Sequence, residues 1–243
     1  MESNVITYGE LDSTNREAAT LISSGLITGD TFVVADYQGN GRGQGNNHWV
    51  SDRGMNLLMS WIVFPAFLSV KFQFQLSKAV SLAISDLLES HTIPCKIKWP
   101  NDILINSMKA GGILIENSIM ENTLKHSIIG IGLNINQRNF PRFPYQASSM
   151  CKETGKTYDL TEVRTMLMTC LRVRFEQLKN GKTKDIDREY GARMFGLNEE
   201  SKFSDGTAEF IGIIRGVNEI GELQVETVKG MQTFVFHEIT LIY

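Results

Sequence analysis

Glycine recurs at every second position through Gly39, Gly41, Gly43 and Gly45, in a run that reads QGNGRGQGNNHW from Gln38 to Trp49. Such a stretch has too few side chains to pack as helix or core strand, so it is expected to be a backbone-exposing loop after the apolar segment 31–37. Without Cβ atoms its amides can approach an anion closely. Arg42 lies inside the run, and its planar guanidinium suits a carboxylate or phosphate held against the loop.

Familiar phosphate-binding motifs do not account for this loop. No G-x-x-x-x-G-K-[S/T] match exists, and G-x-G-x-x-G fails because the third position reads Gln44 counted from Gly39 and Asn46 counted from Gly41. Taken alone, the run reads more readily as a plain surface loop.

A second cluster, KIKWPNDILIN over residues 96–106, places Lys96, Lys98, Trp99, Pro100, Asn101 and Asp102 between two short apolar runs, and Lys109 follows. Pro100 forces Trp99 toward extended geometry, and Asn101-Asp102 suits a turn. A plain hairpin explains this pattern, but a hairpin needs neither the tryptophan nor so many lysines.

Taken together, the segments resemble the catalytic domain of the biotin protein ligases. That family's order is D-S-T-N, G-R-G with a later tryptophan, K-W-P-N-D, K-x-x-G-I-L-x-E and I-G-x-G-x-N. This chain supplies Asp12 to Asn15, Gly41-Arg42-Gly43 with Trp49, Lys98 to Asp102, Lys109 to Glu116, and Ile129 to Asn134, all in that order. The resemblance implies an α+β fold: a mixed, mainly antiparallel sheet flanked by helices, as in class II synthetases, over residues 1–195, and a small β-barrel over 196–243.

Composition agrees. A chain of 243 residues that is 42% hydrophobic can bury a substantial core. The apolar stretch 57–68 is interrupted by Ser60 and Pro65 and falls short of the roughly 20 residues that span a bilayer. With no basic-then-apolar leader pattern either, a cytoplasmic protein without membrane association is expected. Three cysteines, Cys95, Cys151 and Cys170, lack metal-ligand spacing and suit a reducing compartment. From Gly196 onward there are eight acidic and three basic residues, a net of minus five, which leaves plus two for the remainder of a chain at minus three. That balance and the early position of Asp12 argue against a helix-turn-helix domain, so no nucleic-acid binding is expected.

Periodicity predicts a first helix from Ser13 or Thr14, with Glu17 closing a capping box and Gly25 ending it. It predicts a second over about 70–90 with Phe72, Leu76, Ala79, Val80, Ala83 and Leu87 inward. A third spans about 160–178, beginning after Asp159. Strands are expected at 31–36, 56–64, 95–98, 103–106, 112–117 and 124–134. Residues 140–144 read as a loop, and short alternating strands follow Gly196 with turns at Asp205-Gly206 and near Gly221.

The chemistry implied by the resemblance is two-step acyl transfer. Biotin is activated by MgATP as biotinyl-5'-AMP, and the acyl group passes to one lysine of a biotin carboxyl carrier protein, the enzyme being a monomer or homodimer. The expected catalytic residues are Arg42, Lys109 and Asp102. Biotin is expected at Ser13, Thr14, Asn15, Gln38, Gly41, Arg42, Gly43, Gln44, Lys109 and Gly112, and ATP at Arg42, Trp49, Asn101, Lys109 and Asn134; metal ligands are unassigned. Asp102 reads either as the group that orients the acceptor amine or as an ordinary turn aspartate. The scattered His48, His91, His126 and His237 read as non-ligands, with contact between the loop residue His48 and a ligand as the lesser alternative.

Two departures stand out. Gln44 occupies the position of a second arginine found in many relatives, and Asn47-His48 replaces an arginine-lysine pair, so fewer cations face the adenylate. Alternatives are a lipoate or octanoate–protein ligase of the same superfamily, whose usual R-x-x-G-G-G-x-V-x-H-type loop is absent here; a non-catalytic biotin- or nucleotide-binding regulator; and a soluble α/β domain whose motifs are structural.

Overall fold

The computed structural model describes residues 4–45, 47–142 and 146–242; Asn46, the loop positions Phe143 and Pro144, and Tyr243 lie outside them. The elements of the larger part are β1 (Asn4–Tyr8), α1 (Thr14–Ser23), β2 (Thr31–Ala35), β3 (Leu57–Val63), α2 (Phe74–Ser90), β4 (Lys96–Lys98), β5 (Asp102–Ile105), β6 (Met108–Met120), β7 (Thr123–Leu133), α3 (Met150–Thr154), α4 (Leu160–Lys179) and α5 (Thr183–Arg193). Seven strands form one sheet in the order β1-β2-β3-β7-β6-β5-β4. Only β1 and β2 run parallel; every other neighbouring pair is antiparallel. The architecture is thus mixed α/β, with helices against a mixed sheet.

Alternation within the strands decides which helix covers which face. Val33, Ile62 and Ile128 meet Ala18 and Leu21 of α1 on one side. Phe32, Val34, Met59 and Trp61 point the other way, into a core with Leu76, Ala83 and Leu87 of α2 and Leu167, Leu171 and Phe175 of α4. Covered on both faces, β3 is buried at all seven positions and reads as an apolar run broken only at Ser60. Trp61 anchors the larger core, stacked on Phe32 and edge-on to Phe175 with centroids 5.2 Å apart in each case.

Local signals account for most boundaries. The Asp159 carboxylate accepts from the amides of Thr161 and Glu162 at 2.7 and 3.2 Å and starts α4. The box expected at α1 is not formed. Ser13 makes no side-chain cap, the Thr14 hydroxyl sits 2.7 Å from Ser60 Oγ, and Glu17 accepts from Tyr8 Oη instead. Gly25 does follow the helix in left-handed geometry, with φ of 73°. The second helix is split: a 3₁₀ turn over Val70–Phe72 precedes α2, which begins at Phe74. Strand β6 runs well beyond the expected 112–117 because β7 pairs with it along most of its length.

The tail forms a separate antiparallel sheet of β8 (Glu200–Ser204), β9 (Glu209–Val217), β10 (Leu223–Thr227), β11 (Gly230–Phe234) and β12 (Thr240–Ile242), ordered β11-β10-β9-β8-β12. Among the described residues this sheet is open, with β11 and β12 at its edges, where the sequence suggests a closed barrel. The three-residue β12 pairs only with β8 and does not reach β11. Asp205 Oδ1 accepts from the Thr207 and Ala208 amides at 2.8 Å, which makes the expected turn.

Candidate active site

Two glycines on neighbouring strands decide where the site's tryptophan lies. Gly112 of β6 and Gly132 of β7 are paired in register, and the Trp49 indole rests flat across them. A Cβ at Gly132 would lie 2.4 Å from Trp49 Cε2, and one at Gly112 would lie 3.1 Å from Cζ3. Any side chain at 132 would therefore push the ring away.

The glycine run folds into a small hairpin of its own. Gly43 N donates to Asn47 O at 2.8 Å and Trp49 N to Gly41 O at 2.9 Å, while Gly39 N and Asn40 N bond back to the carbonyls of Leu11 and Asp12. Gly41 is confined beneath Trp49, where a Cβ would lie 2.4 Å from the Trp49 carbonyl oxygen. Arg42 emerges from this hairpin, and its Nη1 donates to Glu116 Oε1 at 2.8 Å.

Lys109 reaches the same space by a bulge. Between β5 and β6 the register passes from Ile103 opposite Gly111 to Leu104 opposite Lys109, so Ala110 is an extra residue. That extra residue turns Lys109 toward the face of Gly112, and a Cβ on Gly112 would lie 3.6 Å from Lys109 Cε. Lys109 Nζ meets Asp102 Oδ1 at 2.7 Å, and Lys98 Nζ lies 3.5 Å from Asp102 Oδ2. Asn101 fixes the turn before Asp102: its Nδ2 donates to Ile113 O at 2.8 Å and its carbonyl accepts from Ile113 N at 3.0 Å.

The opposite end is polar and buried. Thr14 N donates to Gln38 Oε1 at 2.7 Å, and Ser60 Oγ donates to Asn15 Oδ1 at 2.6 Å. Ser13, Thr14 and Asn15 are all at most 4% exposed. These groups begin α1, so neutral hydrogen-bonding functions converge where the helix amides also point.

All of this lines one cavity of about 370 Å³. Of the expected residues, Ser13, Thr14, Asn15, Gln38, Arg42, Gly43, Gln44, Trp49, Asn101, Asp102, Lys109 and Gly112 line it together. Gly41 and Asn134 do not. Asn134 is buried behind Lys109, with Nδ2 donating to Ser148 O at 3.0 Å and N to Ala110 O at 2.8 Å, and Ser148 N in turn donates to Lys109 O. His48 and His237, which the sequence reads as non-ligands, also line the cavity.

Several lining residues escape the motifs. One wall is Phe203, Ile214, Leu223, Phe236, His237 and Ile239 from the tail, more than 60 positions beyond the last motif. Trp99 fastens that wall: its Nε1 donates to Gly221 O at 2.9 Å, and its ring meets Phe236 edge-on at 6.1 Å. Ser60, buried behind Thr14 and Asn15 rather than lining the cavity, escapes too, because a serine inside an apolar strand looks like a flaw in the core.

The charge balance suits anions. Among the described lining residues Arg42, Lys98 and Lys109 stand against Asp102 alone, a surplus of two positive charges in a partly enclosed space. A polar end for an uncharged head group, a glycine-floored middle and a cationic end can together hold an acyl compound with its carboxylate beside a phosphate.

Known proteins point the same way. Residues 8–134 match the biotin/lipoate A/B protein ligase family. The chain is 34% identical over 248 aligned positions to the bifunctional ligase/repressor BirA of Bacillus subtilis, covering 99% of this chain and 75% of that protein. It is 30% identical to the biotin--[acetyl-CoA-carboxylase] ligase of Paracoccus denitrificans, covering 94% of this chain and 96% of the other. Its fold superposes on the biotin protein ligase from Aquifex aeolicus in complex with biotin and ATP with a TM-score of 0.84, at 28% identity and 99% coverage of both chains.

Proposed function

Because this chain belongs to the biotin/lipoate A/B protein ligase family, we propose that it is an ATP-dependent ligase that makes biotinyl-5'-AMP and transfers the biotinyl group to a lysine of a biotin carboxyl carrier protein. The observation that carries this reading is the convergence of Arg42 and Lys109, from a glycine hairpin and a bulged strand, on one cavity whose far end is the buried Ser13-Thr14-Asn15 group.

In the first step a biotin carboxylate oxygen bonds to the α-phosphorus of ATP while the bond from that phosphorus to the bridging oxygen breaks, releasing pyrophosphate. The reactants are both anionic, so the protein's task is alignment and fixed positive charge. Lys109 serves where carboxylate and α-phosphate meet, and Arg42 serves the phosphates. Ser13, Thr14, Asn15 and Gln38 take the ureido ring, with Gly43, Gln44 and Gly112 along the chain of the acid and Gly41 shaping the hairpin beneath Trp49. Trp49 and Asn101 serve the nucleotide, with Asn134 supporting the Lys109 strand from behind.

In the second step the lysine amine of the acceptor attacks the acyl carbon, an amide bond forms and AMP leaves. The amine must shed a proton, and Asp102 is the carboxylate on this wall that can orient it or accept that proton. Magnesium enters with the nucleotide as MgATP. Among the described residues no group of three or more His, Cys, Asp or Glu side chains forms a metal site.

In this reading residues 1–195 form the biotin- and ATP-binding part and 196–243 a small β domain that closes one wall. The protein acts in the cytoplasm as a monomer or homodimer without binding nucleic acid. Among the described residues no helix is long and apolar enough to cross a membrane. The deciding experiment is magnesium-dependent exchange of labelled pyrophosphate into ATP with biotin, lipoate, octanoate or no acid. Exchange with biotin alone supports the ligase reading; exchange with lipoate or octanoate reassigns the acyl substrate, and none with any acid leaves a binding role.

A further inference from the structure

We propose that Glu116 is a positioning residue that couples the two ends of the cavity, an inference that rests on the ligase reading. Glu116 sits on β6, and its carboxylate has two partners from different parts of the chain. Oε1 accepts from Arg42 Nη1 at 2.8 Å and Oε2 accepts from Asn15 Nδ2 at 2.7 Å. Arg42 comes from the glycine hairpin and Asn15 from the first turn of α1, so one side chain spans the phosphate end and the head-group end.

The chemistry of each contact is directional. A carboxylate only accepts, so the Asn15 amide must turn its nitrogen to Glu116 and its oxygen to Ser60, whose hydroxyl donates to it at 2.6 Å. The Asn15 side chain crosses β7 at Gly130, where a Cβ would lie 2.3 Å from Asn15 Oδ1, so glycine at this position leaves the space the amide occupies. Glu116 thereby fixes which polar edge α1 offers beside Thr14. At the other end it engages one of the five guanidinium N–H groups of Arg42, which orients the fork and leaves its remaining donors for an anion.

Stability is not the purpose of this arrangement. The Arg42 and Glu116 side chains are 41% and 37% exposed, and pairs that exposed contribute little to folding. The effect of Glu116 therefore lies in how the enzyme binds its two substrates. Glutamine at this position keeps one acceptor oxygen but turns an N–H toward the other donor, so one of the two contacts is lost whichever way it settles.

Pyrophosphate exchange by the full chain tests this, with Glu116→Gln, Glu116→Ala, Arg42→Ala and the Arg42→Ala/Glu116→Ala double variant. The expected result for Glu116→Gln is a KM raised about threefold to tenfold for biotin or ATP, the size of one lost hydrogen bond, with the urea midpoint unchanged. Glu116→Ala raises both, and the double variant has an ATP KM no worse than Arg42→Ala alone, because the two act as a unit. Wild-type constants in both Glu116 variants, additive losses in the double variant, or a large fall in the urea midpoint would overturn the inference while the ligase reading stands. A wild-type chain that exchanges with no acid overturns both.

Discussion

The Lys109 ammonium lies 2.7 Å from Asp102 Oδ1, while the other oxygen of the same carboxylate is 3.5 Å from Lys98 Nζ. Both lysines thus share the carboxylate assigned to the second chemical step. A substrate carboxylate and phosphate arriving at Lys109 compete for that ammonium, which loosens its hold on Asp102 before the acceptor amine arrives. Asp102→Asn should leave pyrophosphate exchange within about threefold of wild type and slow transfer to the carrier lysine by about 10² to 10⁴, the range for a lost proton acceptor. Equal slowing of both half-reactions in single-turnover assays would count against this division of labour.

Lys109→Gln tests the first step. Removing a cation aimed at developing charge in a partly enclosed site commonly costs about 10² to 10³ in rate. The loss should fall on kcat of exchange, since Arg42 and Lys98 still attract the anions to the cavity. A rise in KM alone would mark Lys109 as a binding group.

Retention of the intermediate is expected to depend on Gln44. It lines the cavity, and among the described residues its buried Oε1 has no hydrogen-bond partner. Gln44→Arg adds a charge-assisted bond of about 1 to 3 kcal/mol and should slow release of biotinyl-5'-AMP by roughly fivefold to 150-fold. Slow release from the wild type, unchanged by the substitution, would refute the idea that this chain holds its adenylate loosely.

Gly132→Ala places a methyl group where Trp49 Cε2 now lies, at 2.4 Å. The indole must leave its seat, at a cost of about 1 to 3 kcal/mol by analogy with overpacked cores. Intrinsic tryptophan fluorescence should shift and the KM for ATP should rise, with a smaller change for biotin. Unaltered nucleotide affinity would show that Trp49 is only part of the floor.

A pH effect on stability is expected far from the site. The Glu89 carboxylate accepts from Arg193 Nε at 2.8 Å, and that hydrogen bond holds its pKa below the ordinary value despite partial burial. A carboxylate with a lowered folded-state pKa stabilises the fold above its unfolded value, and this contribution disappears as pH falls through the lowered one. Arg193→Met should therefore cost stability at pH 7, about 1 kcal/mol or less because the pair faces solvent, and the difference in Tm should shrink below about pH 4. A constant difference across that range would place the effect in packing.

Much of the larger sheet and most of the cavity are legible in the sequence because their signals are local. Asp159 announces α4 by its cap, β3 shows itself by an apolar run broken only at Ser60, and the motif residues show themselves by their order. Helix α5 is not legible: Ile186 and Tyr190 are its only buried residues, and its place depends on ion pairs such as Lys78 with Asp187 and Arg174 with Glu189, made across the fold. Strand β1 is short and half polar, so nothing in it announces a parallel edge. Glu116 closes the K-x-x-G-I-L-x-E motif, but what it does there is not legible, since its partners lie 74 and 101 positions away. The individual residues of the tail wall are not legible for the same reason.

Gly221 is where the two sheets are clasped. Its carbonyl takes the Trp99 indole proton, and its Cα lies so near Phe74 that a Cβ would come within 2.5 Å of the ring. The loop is thus gripped between the start of α2 and the K-W-P-N-D turn. A designer who reshapes Phe236 works on a panel fastened to the turn that carries Lys98 and Asp102, so a change to that wall reaches the cationic machinery as well. Trimming the tail from a minimal labelling enzyme would instead remove one side of the reaction chamber.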